Sequence, residues 1–140
     1  MIGKKGEVDS QRVAIYARVS SEEQRENQTI QSQLETAKRW VEFQRMIDKR
    51  LEIHGFYLDD GISGTIAFAK RPAGKRLMED ATAVKFALIL VYKIDRLGRD
   101  PRDILNSAHQ FDQLGVAVKS LTEEFDMSTP SGKFMRVVPQ

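Results

Sequence analysis

The sequence contains no cysteine, which removes disulfides and thiolate metal sites and makes a reducing compartment such as the cytoplasm the natural setting. Histidine is nearly as scarce. His54 and His109 stand far apart in the chain, a poor basis for a zinc site or a serine–histidine pair. No apolar run approaches the roughly 20 residues of a membrane span, and the opening MIGKKGEVDSQR lacks the apolar centre of a signal peptide, so no membrane partner is expected. Internal repeats and low-complexity tracts are absent as well. Charge is almost balanced, with 22 Lys and Arg against 20 Asp and Glu. A net charge of +2 does not argue for nucleic acid, so the placement of the arginines has to carry that case.

What the chain does have is enough apolar material for one domain: 140 residues, 41% hydrophobic and 30% charged, with a real core. Residues 1–11 are polar and read as a flexible tail. VAIYARVSS (13–21) reads as the end of a buried strand over 12–19. Alternation puts Val13, Ile15, Ala17 and Val19 on one face and Ala14, Tyr16, Arg18 and Ser20 on the other, and it turns Ser21 away from Ser20. Apolar residues at Ile30, Leu34, Ala37, Trp40, Val41 and Ile47 then predict an amphipathic helix to about residue 49. LEIHGFYL (51–58) is a second strand, followed by a glycine-containing loop over 61–70 that is expected to be mobile. Pro72 suits the first turn of the next helix.

FALILVYKI (86–94) is the most continuous apolar run and predicts a central strand covered on both faces. Asp100, Pro101 and Asp103 mark a helix start; that helix buries Ile104, Leu105, Ala108, Phe111 and Leu114 and ends at Gly115. VAVKSL (116–121) is a fourth strand, and a further helix is expected from Ser128, Thr129 and Pro130. The alternation of strands and helices predicts an α/β fold with a mainly parallel sheet of about four or five strands flanked by helices. The sequence ends inside that last apparent helix, so a fragment of a longer protein is expected.

Functional groups of open α/β sheets gather beyond the carboxyl ends of the strands. Strand one ends in Arg18 and Ser20. Strand two ends in Asp59 and Asp60, with Ser63 beyond, and strand three runs into KIDRLGRD (93–100), bringing Lys93, Asp95, Arg96 and Arg99. A serine among arginines and carboxylates, without an imidazole, argues against acyl transfer and suits phosphoryl transfer, where guanidinium forks match phosphate oxygens. No GxxxxGK[ST] loop is present, so a phosphodiester is a better substrate than a nucleoside triphosphate. Each piece alone has a plainer reading: a paired strand arginine, a charged turn, a helix cap. Their convergence on one sheet edge favours a site.

YARVS (16–20), NQTIQSQ (27–33), YLDDGISG (57–64), KRP (70–72) and YKIDRLGRD (92–100) together resemble the catalytic domain of the serine site-specific recombinases, the resolvase–invertase family, over about residues 12–138. The long DDGISGTIAFAKRP span and EEFDMSTPSGK (123–133) are most similar to the large members among phage integrases and mobile-element recombinases. The resemblance implies that Ser20 is the nucleophile on a DNA phosphodiester, forming a 5′-phosphoseryl link and releasing a 3′-hydroxyl. It implies that Arg18, Arg71, Arg96 and Arg99 bind the phosphate, with Asp95 as a site carboxylate and Tyr16 and Gln33 in support. Either Asp59 or Asp60 matches the family's acid after the second strand, the spacing to Tyr57 favouring Asp59; Lys93 is at most a supporting cation. Double-stranded DNA is the implied partner, with self-association as a dimer and synaptic tetramer, and neither cofactor nor metal is implied. By the same resemblance, residues 12–140 form a catalytic domain cut near the start of a long helix. The DNA-binding region is missing, and the isolated chain is inactive. Two other readings compete: a non-catalytic recombinase-like regulatory or assembly module, and an α/β phosphoacceptor domain using Asp59 or Asp60.

Overall fold

Arg12–Val19 forms β1, the second strand of a sheet whose order is β2-β1-β3-β4-β5. The structure, a computed structural model, describes residues 11–21, 29–123 and 126–127. The expected tail (but for Gln11) and the helix expected after Ser128 lie outside those residues. The other elements are α1 (Ile30–Arg45), β2 (Glu52–Asp60), α2 (Pro72–Thr82), β3 (Leu88–Val91), α3 (Pro101–Gln113), β4 (Ala117–Ser120) and β5 (Asp126–Met127). β1 pairs in parallel with β2 and β3, and β3 with β4. Parallel neighbours need a crossover, and α1, α2 and α3 supply the three. The short β5 adds an antiparallel edge to β4, which the sequence pattern did not anticipate. Among the described residues no helix is long and apolar enough to cross a membrane.

The alternation along β1 sorts the core into two layers. Val13, Ile15 and Ala17 pack with Leu34, Ala37 and Val41 of α1. Ala14 and Tyr16 pack on the opposite face with Leu77 and Ala81 of α2 and Phe111 of α3. β3 lies between the layers and all four of its residues are buried.

Three expectations need correction. β3 occupies only four of the nine residues expected, because the chain leaves the sheet and winds into a 3-10 turn at Ile94–Leu97. α1 stops at Arg45, so Ile47 falls beyond the helix and is 77% exposed. Leu105 is 56% exposed, because the inward stripe of α3 follows Ile104, Ala108 and Phe111 and leaves its neighbour outside the arc. Helix starts behave as their residues dictate. Thr29 caps α1 by accepting from the Ser32 amide, and Asp100 caps α3 by accepting from the Asp103 amide. α2 has Pro72 at its start but no side-chain cap of its own.

Candidate active site

The carboxyl ends of β1 and β3 open onto one cleft of about 790 Å³, walled by Arg18, Ser20 and Ser21, by the loop residues Gly61, Ser63, Gly64 and Thr65, and by Asp95, Gly98, Arg99 and Asp100. Ser20 is half-buried there. Arg18, also in the wall, is buried along its length and donates from Nη1 to the Ile62 carbonyl at 2.8 Å. The backbone just before Ser20 is pinned as well: the buried Gln33 donates from Nε2 to the Arg18 carbonyl at 3.0 Å. Arg99 keeps 55% of its side chain exposed. Ser21 also lines the cleft, contrary to the parity argument. β1 ends at Val19, and alternation has no force past the last strand residue.

Beneath the cleft lies a buried polar network. Asp59 is 1% exposed. It accepts from the Tyr16 hydroxyl at 2.7 Å and from the amides of Ala73 and Gly74 at 2.8 and 3.1 Å. The strand carboxylate thus supplies the cap that α2 lacks, where the helix dipole favours a negative charge. Asp60 is exposed, so Asp59 is the acid inside the network. Its burial and its committed hydrogen bonds take Asp59 out of reach as a phosphoacceptor, which leaves the exposed Asp60 as the acid for that reading.

Arg71 is fully buried and does not line the cleft. Its guanidinium donates to the carbonyls of Ile66 (2.9 Å), Arg96 (2.6 Å) and Gly64 (3.4 Å) and to the Tyr16 hydroxyl (3.1 Å), and it stands 5.7 Å over the Phe68 ring. Burial holds the Tyr16 phenol far above its ordinary range, with the Arg71 charge pulling it down and Asp59 pushing it up. Tyr16 therefore stays protonated and acts as a donor. The far end of the expected mobile loop is tied by these same contacts and by a 3-10 turn at Phe68–Lys70 whose Phe68 ring is buried.

Of the sequence-derived residues, Arg18, Ser20, Asp95 and Arg99 meet in the cleft. Tyr16, Asp59 and Arg71 form the layer below. Arg96 is buried and pairs with the Asp95 carboxylate at 2.7 Å, joining the two layers. Lys93 is half-buried and is not part of the cleft wall. Thr65 is a wall residue that sequence reasoning did not single out, Asp100 was read only as a helix start, and Ser63 was named beyond strand two without a role. The serine and threonine hydroxyls sit 2.8 Å apart in the DGISGT loop, a stretch whose composition signals only a turn. The wall brings Ser20 and the side chains of Arg18 and Arg99 into one cleft, with neither His54 nor His109 in it. It suits a tetrahedral anion bound by arginine forks.

A family model described as the resolvase N-terminal domain matches residues 13–139. The chain is 33% identical over 76 residues to the serine recombinase gin of Escherichia phage Mu, covering 54% of this chain and 37% of that protein. It is 30% identical over 129 residues to the serine recombinase PinR of Escherichia coli K12, covering 91% of this chain and 58% of that protein. It therefore spans less than two thirds of the length of either relative. Among solved structures, the N-terminal catalytic domain of TP901-1 integrase superposes with a TM-score of 0.71 at 32% identity, over 89% of this chain and 87% of that one. A resolvase family site-specific recombinase from Streptococcus pneumoniae gives 0.65 at 28% identity, over 89% of this chain and 79% of that one.

Proposed function

Because the chain belongs to the resolvase family of serine recombinases, we propose that it carries the strand-cutting chemistry of site-specific DNA recombination. The observation that carries the reading is the meeting of Ser20, Arg18 and Arg99 in one cleft. Ser20 Oγ attacks a backbone phosphorus of duplex DNA. The bond from phosphorus to the 3′ oxygen breaks, that oxygen leaves and takes up a proton, and a 5′-phosphoseryl ester remains. After strand exchange a 3′-hydroxyl attacks the ester and frees Ser20. One phosphoester replaces another at each step, so no nucleotide is consumed.

Arg18 and Arg99 neutralise the charge that accumulates on the phosphate oxygens. Asp95 orients Arg96 from the cleft side, and Tyr16, Asp59 and Arg71 form a buried platform that fixes the floor. Gln33 holds the Arg18 backbone and so the approach of Ser20. Residues 12–140 are the catalytic domain of a cytoplasmic protein that works as a dimer and synaptic tetramer and takes its target choice from a separate DNA-binding region. By itself the domain is inactive.

The test uses an intact recombinase containing this domain and a nicked duplex of its target site that traps the covalent intermediate. The expected result is a protein–DNA adduct whose modified peptide maps to Ser20 and which Ser20→Ala abolishes. An adduct that survives in Ser20→Ala, or that maps to Ser21, overturns the assignment.

A further inference from the structure

Asp103 belongs to none of the groups above, yet its carboxylate joins the two walls of the cleft. Oδ2 accepts from the Arg99 amide at 2.9 Å and from the Phe68 amide at 3.0 Å. The first belongs to the turn that presents the Arg99 guanidinium, the second to the loop whose carbonyls at Gly64 and Ile66 hold Arg71. Helix capping does not account for this carboxylate. α3 is already capped by Asp100, which accepts from the Asp103 amide itself, and both donors to Asp103 lie outside the helix. Gly98 shows how closely the turn is pressed onto the same point: a Cβ there would stand 2.6 Å from the Ile104 amide nitrogen and 3.0 Å from Asp103 Cβ.

We propose that Asp103 is a positioning residue that latches the 61–71 loop to the Arg99 turn and thereby sets the distance across the cleft at which the phosphate is gripped. This rests on the reading of Ser20 as nucleophile. A carboxylate accepting two amide hydrogens fixes both backbones with charge-assisted bonds. Loss of about an ångström of registration at a reacting centre costs up to about 100-fold in rate.

The experiment measures single-turnover adduct formation by the intact recombinase on its nicked duplex, comparing wild type, Asp103→Ala and Asp103→Asn. Asp103→Ala is expected to lower the rate constant at saturating DNA about 10- to 100-fold with DNA affinity changed less than about two-fold. Asp103→Asn, which keeps an acceptor oxygen in the same place, is expected to recover most of the rate. A residue needed only for folding would lower the amplitude, the fraction of active molecules, and leave the rate constant alone. An unchanged rate constant in Asp103→Ala, or equal losses in the alanine and asparagine variants, overturns the latch. Failure of the underlying reading shows differently, as a wild-type protein that forms no Ser20-dependent adduct.

Discussion

Replacing Asp59 by alanine removes the one carboxylate of the buried platform, and the structure sets the size of the loss. Three donors lose their acceptor: the Tyr16 hydroxyl and the amides of Ala73 and Gly74. The two amides open α2, so the change also strips a helix cap, about 1 kcal/mol in ordinary cases. The Tyr16 hydroxyl loses a bond to a charged partner, about 1.5–3 kcal/mol. Arg71, fully buried, keeps its carbonyl partners and its bond to the Tyr16 hydroxyl, and loses only the negative charge on the far side of that hydroxyl. With the three donors left buried beside the deleted carboxylate, the cost comes to about 4 kcal/mol, the upper end of those two terms. That is a large share of a typical domain's 5–15 kcal/mol, on the order of a third. With a urea slope of about 2 kcal/mol per molar, the unfolding midpoint falls by about 2 M. Trp40, the only tryptophan, and far-UV circular dichroism report the transition. Asp60→Ala, at the exposed neighbour, leaves the midpoint where it was. A drop below about 1 kcal/mol for Asp59→Ala, or equal drops at both positions, refutes the assignment of Asp59 as the acid on which the platform is built.

The arginines divide by the same logic. Arg71→Ala is expected to destabilise by about 3 kcal/mol or more, since it strips the buried Tyr16 hydroxyl and the carbonyls of Ile66, Arg96 and Gly64 of their donor. Arg99→Ala, with its side chain mostly in solvent, leaves the urea midpoint unchanged while abolishing adduct formation; equal stability losses in the two variants contradict the division into cleft and platform. Alkaline pH tests the phenols. Burial raises Tyr16, and burial with a hydrogen bond to Asp80 raises Tyr57, each above the ordinary value of 10.0. The folded chain therefore retains protons that the unfolded chain releases near that pH. The stability this confers is complete below about pH 10 and is lost as pH rises through the higher folded values. Phenolate absorbance for these two residues should appear together with unfolding, and Tyr16→Phe should soften the alkaline loss. Reversible ionisation of both in the folded protein near pH 10 would show that they are not buried as described.

Patterning dictated by backbone geometry was legible in the sequence; orientation decided by distant partners was not. The bounds of β1 and its two faces follow from alternation alone, and the start of α3 follows from Asp100 and Pro101. Alternation also carries its own limit, since it ends with the strand, and Ser21 enters the cleft beside Ser20. Length was misjudged where a run of apolar residues continued past its element: Phe86 is buried without being in β3, and Ile94 packs against the core from a 3-10 turn. The inward fate of Arg71 was invisible locally. Its sequence context, KRP, reads as the start of a helix, and only the arrival of Asp59 and Tyr16 from other strands turns the guanidinium inward. The same holds for Asp103, which reads as a first-turn acid and is a cross-wall acceptor because of where Phe68 lies.

Arg71 and Asp103 solve one mechanical problem with opposite charges. The loop wall and the turn wall of the cleft are both irregular backbone, which cannot satisfy its polar groups through a helix or a ladder and needs side-chain partners. Arg71 gathers carbonyls from both, Gly64 and Ile66 on one side and Arg96 on the other. Asp103 gathers amides from both, Phe68 and Arg99. A cation holding acceptors and an anion holding donors brace the same gap, so the two walls are held together by groups that do not line it together with Ser20. Arg18 and Arg99 are thereby left to face the cleft, and the loop and turn that carry their neighbours are tied before any phosphate arrives. Preorganised charge of this kind lowers a barrier because it need not be rearranged as the reaction proceeds. On the proposed chemistry the site arginines divide accordingly: Arg18, Arg71 and Arg96 are buried against backbone carbonyls or the Asp95 carboxylate, and Arg99, 55% exposed beside Asp100, has room to follow the phosphate.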